Sequence, residues 1–216
     1  FFSLKGENFN GNKFAKQALE NGCRFAVVDE EEYYIEGCIL VKDVKVTLQK
    51  LATYHRKQLS IPIIGITGTN GKTTNKELLH CVLSSQYHCY ATKGNLNNQI
   101  GVPLSILEIN NTHEIAIIEM GASEIGEIEK LSNISQPNTG IITNVGLAYL
   151  EGFGNFKGVV KTKTELYNFI EKTNGTVFVN SEDRILLEKS NKIKRVRFGK
   201  GTTADFNAQL IEEFPF

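Results

Sequence analysis

A short glycine-rich segment carries the clearest chemistry in this sequence. Residues 68–74, which read GTNGKTT, follow an apolar run that begins at Ile61. A loop between a buried strand and a helix aims backbone N–H groups and the helix N-terminus at an anion. Lys72 would then reach the terminal phosphates of a nucleotide, and the hydroxyl of Thr73 would bind Mg²⁺. The segment predicts a phosphate-binding loop formed by Gly68, Thr69, Asn70, Gly71, Lys72, Thr73 and Thr74.

This loop departs from the general P-loop pattern, which has four residues between its first glycine and the Gly-Lys pair. Four intervening residues before Gly71 would place the first glycine at position 66, but Ile66 stands there. The nearest glycine, Gly65, lies one residue earlier in the sequence. The segment therefore fits a variant P-loop. The alternative is an ordinary glycine-rich turn that leaves a lysine exposed.

Two polar residues end later apolar runs, where ligand sites of open parallel sheets are found. Glu119 ends the run that begins at Ile115, and Asn144 follows the next run. A carboxylate in that position is costly unless it is paired or bound to a metal. Glu119 is therefore either a metal ligand or a carboxylate at the rim of the sheet. Asn144 either positions a nucleotide or a metal-bound water, or caps a turn.

Lys163 lies in the middle of an apolar helix face. At about 100° per residue, Lys161 and Glu165 face away, while the side of Lys163 also carries Val159, Leu166, Tyr167 and Ile170. A charged amine at such a position is costly unless its stem snorkels to water or the amine is chemically changed. Both explanations remain open from the pattern.

The elements that must position these residues alternate regularly after Ser60. Apolar runs predict strands at 61–67, 87–91, 115–119, 139–143 and 176–180. Helical spacing falls between them, at about 74–85, 99–108, 124–133, 157–171 and 182–190. Before Ser60 we expect strands at 1–5, 24–29 and 38–42 and helices at 12–21 and 46–59. The order predicts an α/β fold with a mainly parallel sheet and helices on both faces.

Composition excludes several classes of partner. The 216 residues contain 24 basic and 24 acidic side chains, so no global field favours nucleic acid or an anionic membrane. The four cysteines and four histidines lack zinc-ligand spacing. No apolar run approaches the roughly 20 residues of a membrane span, and no signal peptide is visible. We expect a monomeric cytoplasmic protein with reduced, mostly buried thiols and with neither nucleic acid nor membrane as partner.

The segment TGTNGKTT at 67–74 resembles the ATP loop of the Mur ligase family, ATP-dependent enzymes that join amino acids to peptidoglycan precursors. KGNLNNQIGVP at 93–103, LEGFG at 150–154 and FFSLKGEN at 1–8 extend the resemblance along the chain. It is closest to the branch that adds D-alanyl-D-alanine to a UDP-N-acetylmuramoyl-tripeptide. The resemblance implies ATP and Mg²⁺ as cofactors and an acyl phosphate of the tripeptide carboxylate, which the dipeptide amine then attacks.

The resemblance also implies roles for single residues. Lys163, four residues before Tyr167, would be carbamylated by CO₂ and bind a second Mg²⁺, which makes Lys163 catalytic beside Lys72. The implied metal ligands are Thr73, Glu119 and Lys163. Tyr149 stands where the family has a metal-binding histidine. A phenol with a pKa near 10 is a poor Mg²⁺ ligand, so we assign no ligand role to Tyr149.

The implied substrate contacts lie in two loops. Asn95, Asn97 and Asn98 offer amides to sugar and peptide groups, although asparagine and glycine also form ordinary turns. Lys5 would contact the diphosphate of the UDP-linked substrate.

Members of this family have three domains. We expect residues 1–59 to be a UDP-substrate-binding domain truncated at its start and residues 60–216 to be an incomplete ATP-binding domain. The third domain would be absent, which would leave this piece inactive by itself. Two other functions remain possible: a related amide ligase of the folylpolyglutamate or cyanophycin type, and a P-loop module that binds nucleotide without catalysis. The sequence does not indicate whether the tripeptide carries diaminopimelate or lysine.

Overall fold

The structure, a computed structural model, describes residues 1–146, 150–200 and 204–207. Its first part is a small α/β unit whose elements are β1 (Lys5–Gly6), β2 (Phe9–Asn10), α1 (Ala15–Glu20), β3 (Ala26–Val28) and β4 (Cys38–Leu40). Strands β1 and β2 pair antiparallel, and β3 and β4 pair parallel. A small core forms between α1 and β3, where Ala15, Ala26 and Val28 are buried.

The prediction of a strand over residues 1–5 is wrong, because the first regular strand, β1, begins only at Lys5. Phe2 forms only an isolated bridge to Val27, and regular pairing starts at Lys5. The strands predicted at 24–29 and 38–42 are confirmed in shorter form as β3 and β4.

Helix α2 (Val44–Gln58) connects this unit to the main sheet. Asp43 caps its N-terminus, because the Asp43 side chain accepts a hydrogen bond from the Val46 N–H. Ala52 joins the core of the main sheet, so the helix packs on that sheet. The proposed domain division between residues 59 and 60 stays a prediction.

Seven parallel strands form the main sheet within the described residues, in the order β11-β10-β9-β8-β5-β7-β6. Their bounds are β5 (Ile63–Thr67), β6 (Cys89–Ala91), β7 (Ile115–Glu119), β8 (Thr139–Ile142), β9 (Thr176–Asn180), β10 (Lys194–Gly199) and β11 (Phe206–Asn207). The parallel α/β sheet is confirmed. Strands β10 and β11 were not predicted, because β10 carries three basic residues and has no buried position, while β11 is only two exposed residues long.

Helices cover both faces of the sheet. They are α3 (Lys72–Leu83), α4 (Gly101–Glu108), α5 (Glu127–Ser135), α6 (Leu150–Phe153), α7 (Phe156–Lys172) and α8 (Arg184–Lys189). Successive side chains of a strand point to opposite faces, and β7 shows this directly. Ile118 packs in the large core with α2, α4, α5 and α7, whereas Ile117 packs on the other face near Leu79 and Leu83 of α3.

The cysteines correct one expectation from composition. All four thiols are free, but only Cys89 is buried, while Cys23 and Cys81 are exposed and Cys38 is half-buried. No helix within the described ranges combines the length and hydrophobicity that crossing a membrane requires.

Candidate active site

The glycine-rich segment forms the connection between β5 and α3. Gly68 has a φ of +148° and Gly71 a φ of +73°, in the region that disfavours other residues. A Cβ on Gly68 would also overlap with Oγ1 of Thr143. Gly71 is the N-cap of α3, so the helix begins at Lys72 with its first N–H groups free of intrahelical partners. This local structure suits an anion, as the sequence predicted.

Residues after β8 hold this loop in shape. The Asn144 side chain accepts from the Asn70 N–H at 3.1 Å and donates to the Asn70 carbonyl at 3.0 Å. The hydroxyl of Thr143 donates to the same carbonyl at 2.6 Å. Asn144 therefore supports the backbone of the predicted phosphate-binding loop, a third role beside the two that its sequence position suggested.

Lys72 folds back over its own loop. Its Nζ donates to the carbonyls of Gly68 at 3.0 Å and Thr69 at 3.1 Å. Partial burial lowers the pKa of Lys72, and the negative charge of Glu119 opposes that shift. Both contacts are to carbonyls of the predicted phosphate cradle, so the amine is already positioned beside it.

Glu119 is the most constrained carboxylate near the loop. The residue is 1% exposed, and its Oε1 accepts from the Thr73 hydroxyl at 3.2 Å and from Nδ2 of Asn97 at 2.9 Å. Its Oε2 is buried and has no hydrogen-bond partner among the described residues. A buried carboxylate oxygen in that situation is costly unless a cation is present.

The donor set around Glu119 fits Mg²⁺. In the described ranges, no group of three or more His, Cys, Asp or Glu side chains could hold a metal ion. Mg²⁺ does not need such a group, because it is usually bound by one or two carboxylates together with substrate phosphates. Thr73 and the unpaired oxygen of Glu119 therefore suit a cation that is shared with a bound nucleotide.

Lys163 lies in the apolar interior, as its helix position predicted. It is 3% exposed, so it does not reach water as a snorkelling lysine does. Its Nζ lies 5.3 Å from the ring centroid of Phe153 and 3.5 Å from the carbonyl oxygen of Ala122. Burial, together with the positive charge of Lys72, lowers the pKa of Lys163 to about 8, although the charges of Glu127 and Glu165 partly oppose this shift.

Glu165 corrects the expectation that its side chain faces away from the core. It is 8% exposed, and its two carboxylate oxygens accept from the N–H groups of Gly126 at 2.7 Å and Glu129 at 3.0 Å. The carboxylate thus binds the N-terminal turn of α5. Helical periodicity did not reveal this role, because the partner belongs to another helix.

The polar loop after β6 reaches the same site. Asn97 contacts Glu119 as described, whereas Oδ1 of Asn98 accepts from the N–H groups of Ile100 and Gly101 at the start of α4. Asn95 is exposed. The predicted substrate loop therefore adjoins the candidate metal ligand, and the substrate contacts themselves stay predictions.

Lys5 lies in the N-terminal unit. Its Nζ forms ion pairs with Asp29 at 3.0 Å and with Glu30 at 3.1 Å. Hydrogen bonds to these two carboxylates raise the pKa of Lys5. The two acids already offset its charge, and a diphosphate contact stays a prediction. Tyr149 lies outside the described residues.

A cavity of about 820 Å³ opens elsewhere on the molecule, at the amino ends of the strands. Arg56, Asn138 and Thr176 are among its lining residues. Since ligand sites of open α/β sheets lie at the carboxyl ends of the strands, the smaller features around Glu119 identify the site better than cavity size does.

Known proteins share this sequence and fold. Residues 66–216 match the model of the Mur ligase middle domain. The chain is 36% identical over 219 residues to the UDP-N-acetylmuramoyl-tripeptide–D-alanyl-D-alanine ligase of Bacillus subtilis (strain 168). The match covers 99% of this chain and 47% of the relative.

Two solved structures are similar throughout most of the chain. MurF from Acinetobacter baumannii is 36% identical with a TM-score of 0.84, over 93% of this chain and 45% of that one. The MurF ligase from Thermotoga maritima, solved in complex with ADP, is 33% identical with a TM-score of 0.85. The match covers 94% of this chain and 47% of the Thermotoga chain. The chain thus spans less than half the length of each of these relatives.

Proposed function

This chain belongs to the Mur ligase family, and from that premise we propose that its protein joins D-alanyl-D-alanine to a UDP-N-acetylmuramoyl-tripeptide. The reaction consumes ATP and forms a C–N bond in peptidoglycan precursor synthesis, and hence serves cell wall biogenesis, cell shape and cell division. The identity of the named relatives supports the reaction class. The structural observation that carries the proposal is the carboxylate of Glu119, which Thr73 of the P-loop contacts on one side and Asn97 on the other.

ATP is the nucleotide that this loop would bind. The ADP held by the Thermotoga maritima relative supports that choice. Residues 68–74 would cradle the phosphates with backbone N–H groups, and the Lys72 amine would exchange its two loop carbonyls for phosphate oxygens. Positioning and charge stabilisation provide most of the catalysis in phosphoryl transfer, and one loop would supply both here.

The metal ligands among these residues would be Thr73 and Glu119. Mg²⁺ bound there would neutralise charge on the nucleotide phosphates. Oε2 of Glu119 supports this assignment, because no group within residues 1–146, 150–200 and 204–207 bonds to it, and Asn97 keeps the carboxylate oriented by its hydrogen bond to Oε1.

Lys163 is suited to carbamylation by its amine chemistry. Only the unprotonated amine reacts with CO₂, and a pKa of about 8 leaves roughly a quarter of the amines neutral at pH 7.5. An ordinary lysine of pKa 10.5 would be neutral in about 0.1% of molecules. The carbamate would carry hard oxygen ligands for a second Mg²⁺, and it would replace a buried cation with an anion near Lys72.

The family relationship implies the chemical sequence of the proposed reaction. The terminal carboxylate of the tripeptide attacks the γ-phosphate, which gives an acyl phosphate and releases ADP. The D-alanyl-D-alanine amine then attacks the acyl carbon and phosphate leaves. The chain's contribution is to hold the reactants in line, and Asn95, Asn97, Asn98 and Lys5 are the proposed substrate contacts. A cytoplasmic location and a monomeric state stay predictions.

The decisive experiment measures phosphate release by the full-length protein. Release should require ATP, Mg²⁺, the UDP-linked tripeptide and D-alanyl-D-alanine together. Lys72→Ala should reduce turnover at least about a hundredfold and leave the fold intact, because the Lys72 amine contacts only loop carbonyls.

Lys130→Ala is the matched control, since Lys130 is an exposed lysine on α5. Nucleotide binding without substrate-dependent release would instead identify a non-catalytic P-loop module. Wild-type turnover by Lys72→Ala would contradict the assignment of the phosphate cradle.

A further inference from the structure

One lysine of α3 is buried although the described site does not use it. Lys76 is 0% exposed, and its Nζ donates to the carbonyl oxygen of Thr92 at 2.6 Å. Its only ion pair among the described residues is with Oε1 of Glu77 at 2.8 Å, and the Glu77 side chain is 61% exposed. Burying an ammonium group is costly, so a lysine in this position needs a reason beyond packing.

Thr92 connects this lysine to the candidate metal ligand. Thr92 follows β6 directly, and its N–H donates to the Ile117 carbonyl at 2.9 Å. Its Oγ1 accepts from the N–H of Glu119 at 3.0 Å. Thr92 is 1% exposed, so water does not replace these hydrogen bonds. Among the described residues, Thr92 is the hydrogen-bond partner of Lys76 outside α3, and Thr92 in turn accepts a hydrogen bond from the backbone of Glu119.

Thr92 also directly precedes the loop that carries Asn97. The loop of residues 93–98 starts immediately after it, and the Gly121 N–H donates to the Asn97 carbonyl at 2.7 Å. Asn97 in turn reaches Oε1 of Glu119 at 2.9 Å. The loop is therefore attached at its start through Thr92 and near its end through Asn97.

We propose that Lys76 is a positioning residue that ties α3, the helix of the phosphate-binding loop, to Thr92 and thereby holds loop 93–98 and Glu119 in register. The inference rests on the proposed function and deepens it. A charge-assisted hydrogen bond of 2.6 Å is short and strong, and it joins the nucleotide side of the site to the substrate side. Partners that orient a ligand in this way typically change activity 10- to 100-fold when removed.

The test uses three variants of the full-length protein. Lys76→Met removes the donor at similar length, Lys76→Arg keeps a buried cationic donor, and Glu77→Gln removes only the exposed partner. Hydrogen exchange of the amides in residues 93–98 and 119–121 reports position without requiring activity. Exchange there should become faster in Lys76→Met, while β8 and α7 exchange as in the wild type.

Kinetics separate positioning from general stability. We expect kcat/KM for the UDP-linked tripeptide to fall about 10- to 100-fold in Lys76→Met. ADP affinity should change less than about threefold, because the Lys76 amine bonds to Thr92 and Glu77 and, within the described residues, to no side chain or carbonyl of residues 68–74. Lys76→Arg should recover most of the loss, and Glu77→Gln should match the wild type.

The outcomes distinguish this inference from the proposed function. A folded Lys76→Met that exchanges and turns over like the wild type would overturn the inference and leave the ligase assignment standing. A uniform loss of protection throughout the protein, with unchanged kinetics, would also overturn it. If the wild type releases no phosphate, the ligase assignment falls, and hydrogen exchange still decides the role of Lys76.

A second variant covers the case in which Lys76→Met does not fold. Thr92→Val removes the Oγ1 that accepts from the Glu119 N–H and keeps the shape of the side chain. It should accelerate exchange at residues 119–121 and lower kcat/KM for the tripeptide. Wild-type exchange and kinetics in a folded Thr92→Val would contradict the connection from Lys76 to Glu119.

Discussion

At the scale of single residues, the site depends on charges that the fold keeps away from water. The Oε2 atom of Glu119, which has no hydrogen-bond partner in the described part of the chain, and the amine of Lys163 both belong to side chains that are at most 3% exposed. Each imposes a free-energy penalty unless a partner of opposite charge or a covalent change is available. Their substitution should therefore affect activity and stability in opposite directions.

Glu119→Gln provides the first prediction at this scale. The amide has nearly the same shape but no charge, so turnover by the full-length protein should fall at least about a hundredfold, as expected when charge stabilisation is lost. The thermal midpoint of unfolding should stay the same or rise, because an unpaired buried charge is removed. Phosphate release and thermal unfolding measure the two effects.

Glu129→Gln is the control for this substitution, because Glu129 is exposed on α5 and its side chain has no assigned role. A Glu119→Gln variant that turns over like the wild type would contradict the metal-ligand assignment.

Lys163 predicts a pH dependence of stability in CO₂-free buffer. Its pKa is about 8 in the folded state against 10.5 in the unfolded state, so the unfolded chain binds more protons between these values. Stability should therefore rise as the pH increases from about 8 to 10.5, and below pH 8 the penalty is fully present. Lys163→Met should remove that rise and stabilise the protein at pH 7 by on the order of 3 kcal/mol.

Lys161→Met on the exposed side of α7 should show neither effect. Thermal unfolding of both variants across this pH range is the measurement. An unchanged pH dependence in Lys163→Met would show that the buried amine does not titrate in this window.

At the scale of elements, α5 and α7 are joined by a capping interaction between helices. The carboxylate of Glu165 on α7 accepts from two N–H groups at the start of α5, where a helix has unsatisfied donors and a positive dipole end. Glu165→Ala should destabilise the protein by about 1–3 kcal/mol, because two partly buried donors lose their acceptor.

Glu171→Ala is the matched control on the exposed side of the same helix and should change stability by less than about 0.5 kcal/mol. Thermal unfolding of the two variants makes the comparison. Equal stability of Glu165→Ala and the wild type would show that solvent satisfies the α5 terminus.

At the scale of the whole molecule, the 216-residue chain spans 47% of its Bacillus subtilis relative. We predict that this chain alone forms no product from ATP, Mg²⁺, the UDP-linked tripeptide and D-alanyl-D-alanine. The reason is that ligation requires the amine to be oriented against the acyl phosphate, and the described residues provide a phosphate loop without an evident site for the amine.

The comparison is between this chain and the full-length protein at equal concentration, with chromatographic detection of the ligated product. Multiple turnovers by the chain alone would show that the catalytic unit is smaller than the family relationship implies. Nucleotide affinity of the chain alone should be weaker than that of the full-length protein.

The sequence by itself determined features whose physical cause is local. The predicted phosphate-binding loop is contiguous, because two glycines with unusual φ values and a helix start follow one another within five residues. The alternating order of apolar runs and helical segments predicted the parallel sheet. The helical period placed Lys163 on a buried helix face, since burial of one helix face sets that period. The parallel sheet, the burial of Lys163 and the family membership are confirmed.

Only the tertiary structure decided which distant side chains meet. Thr73 and Glu119 are 46 residues apart in the sequence, and Asn97 and Glu119 are 22 apart, yet they share one carboxylate oxygen. The burial of Lys76 and Glu165 was equally hidden, because their partners belong to other elements. Periodicity reports whether a side chain faces apolar surroundings, but a hydrogen bond between elements depends on strand order and helix packing, which no local pattern contains.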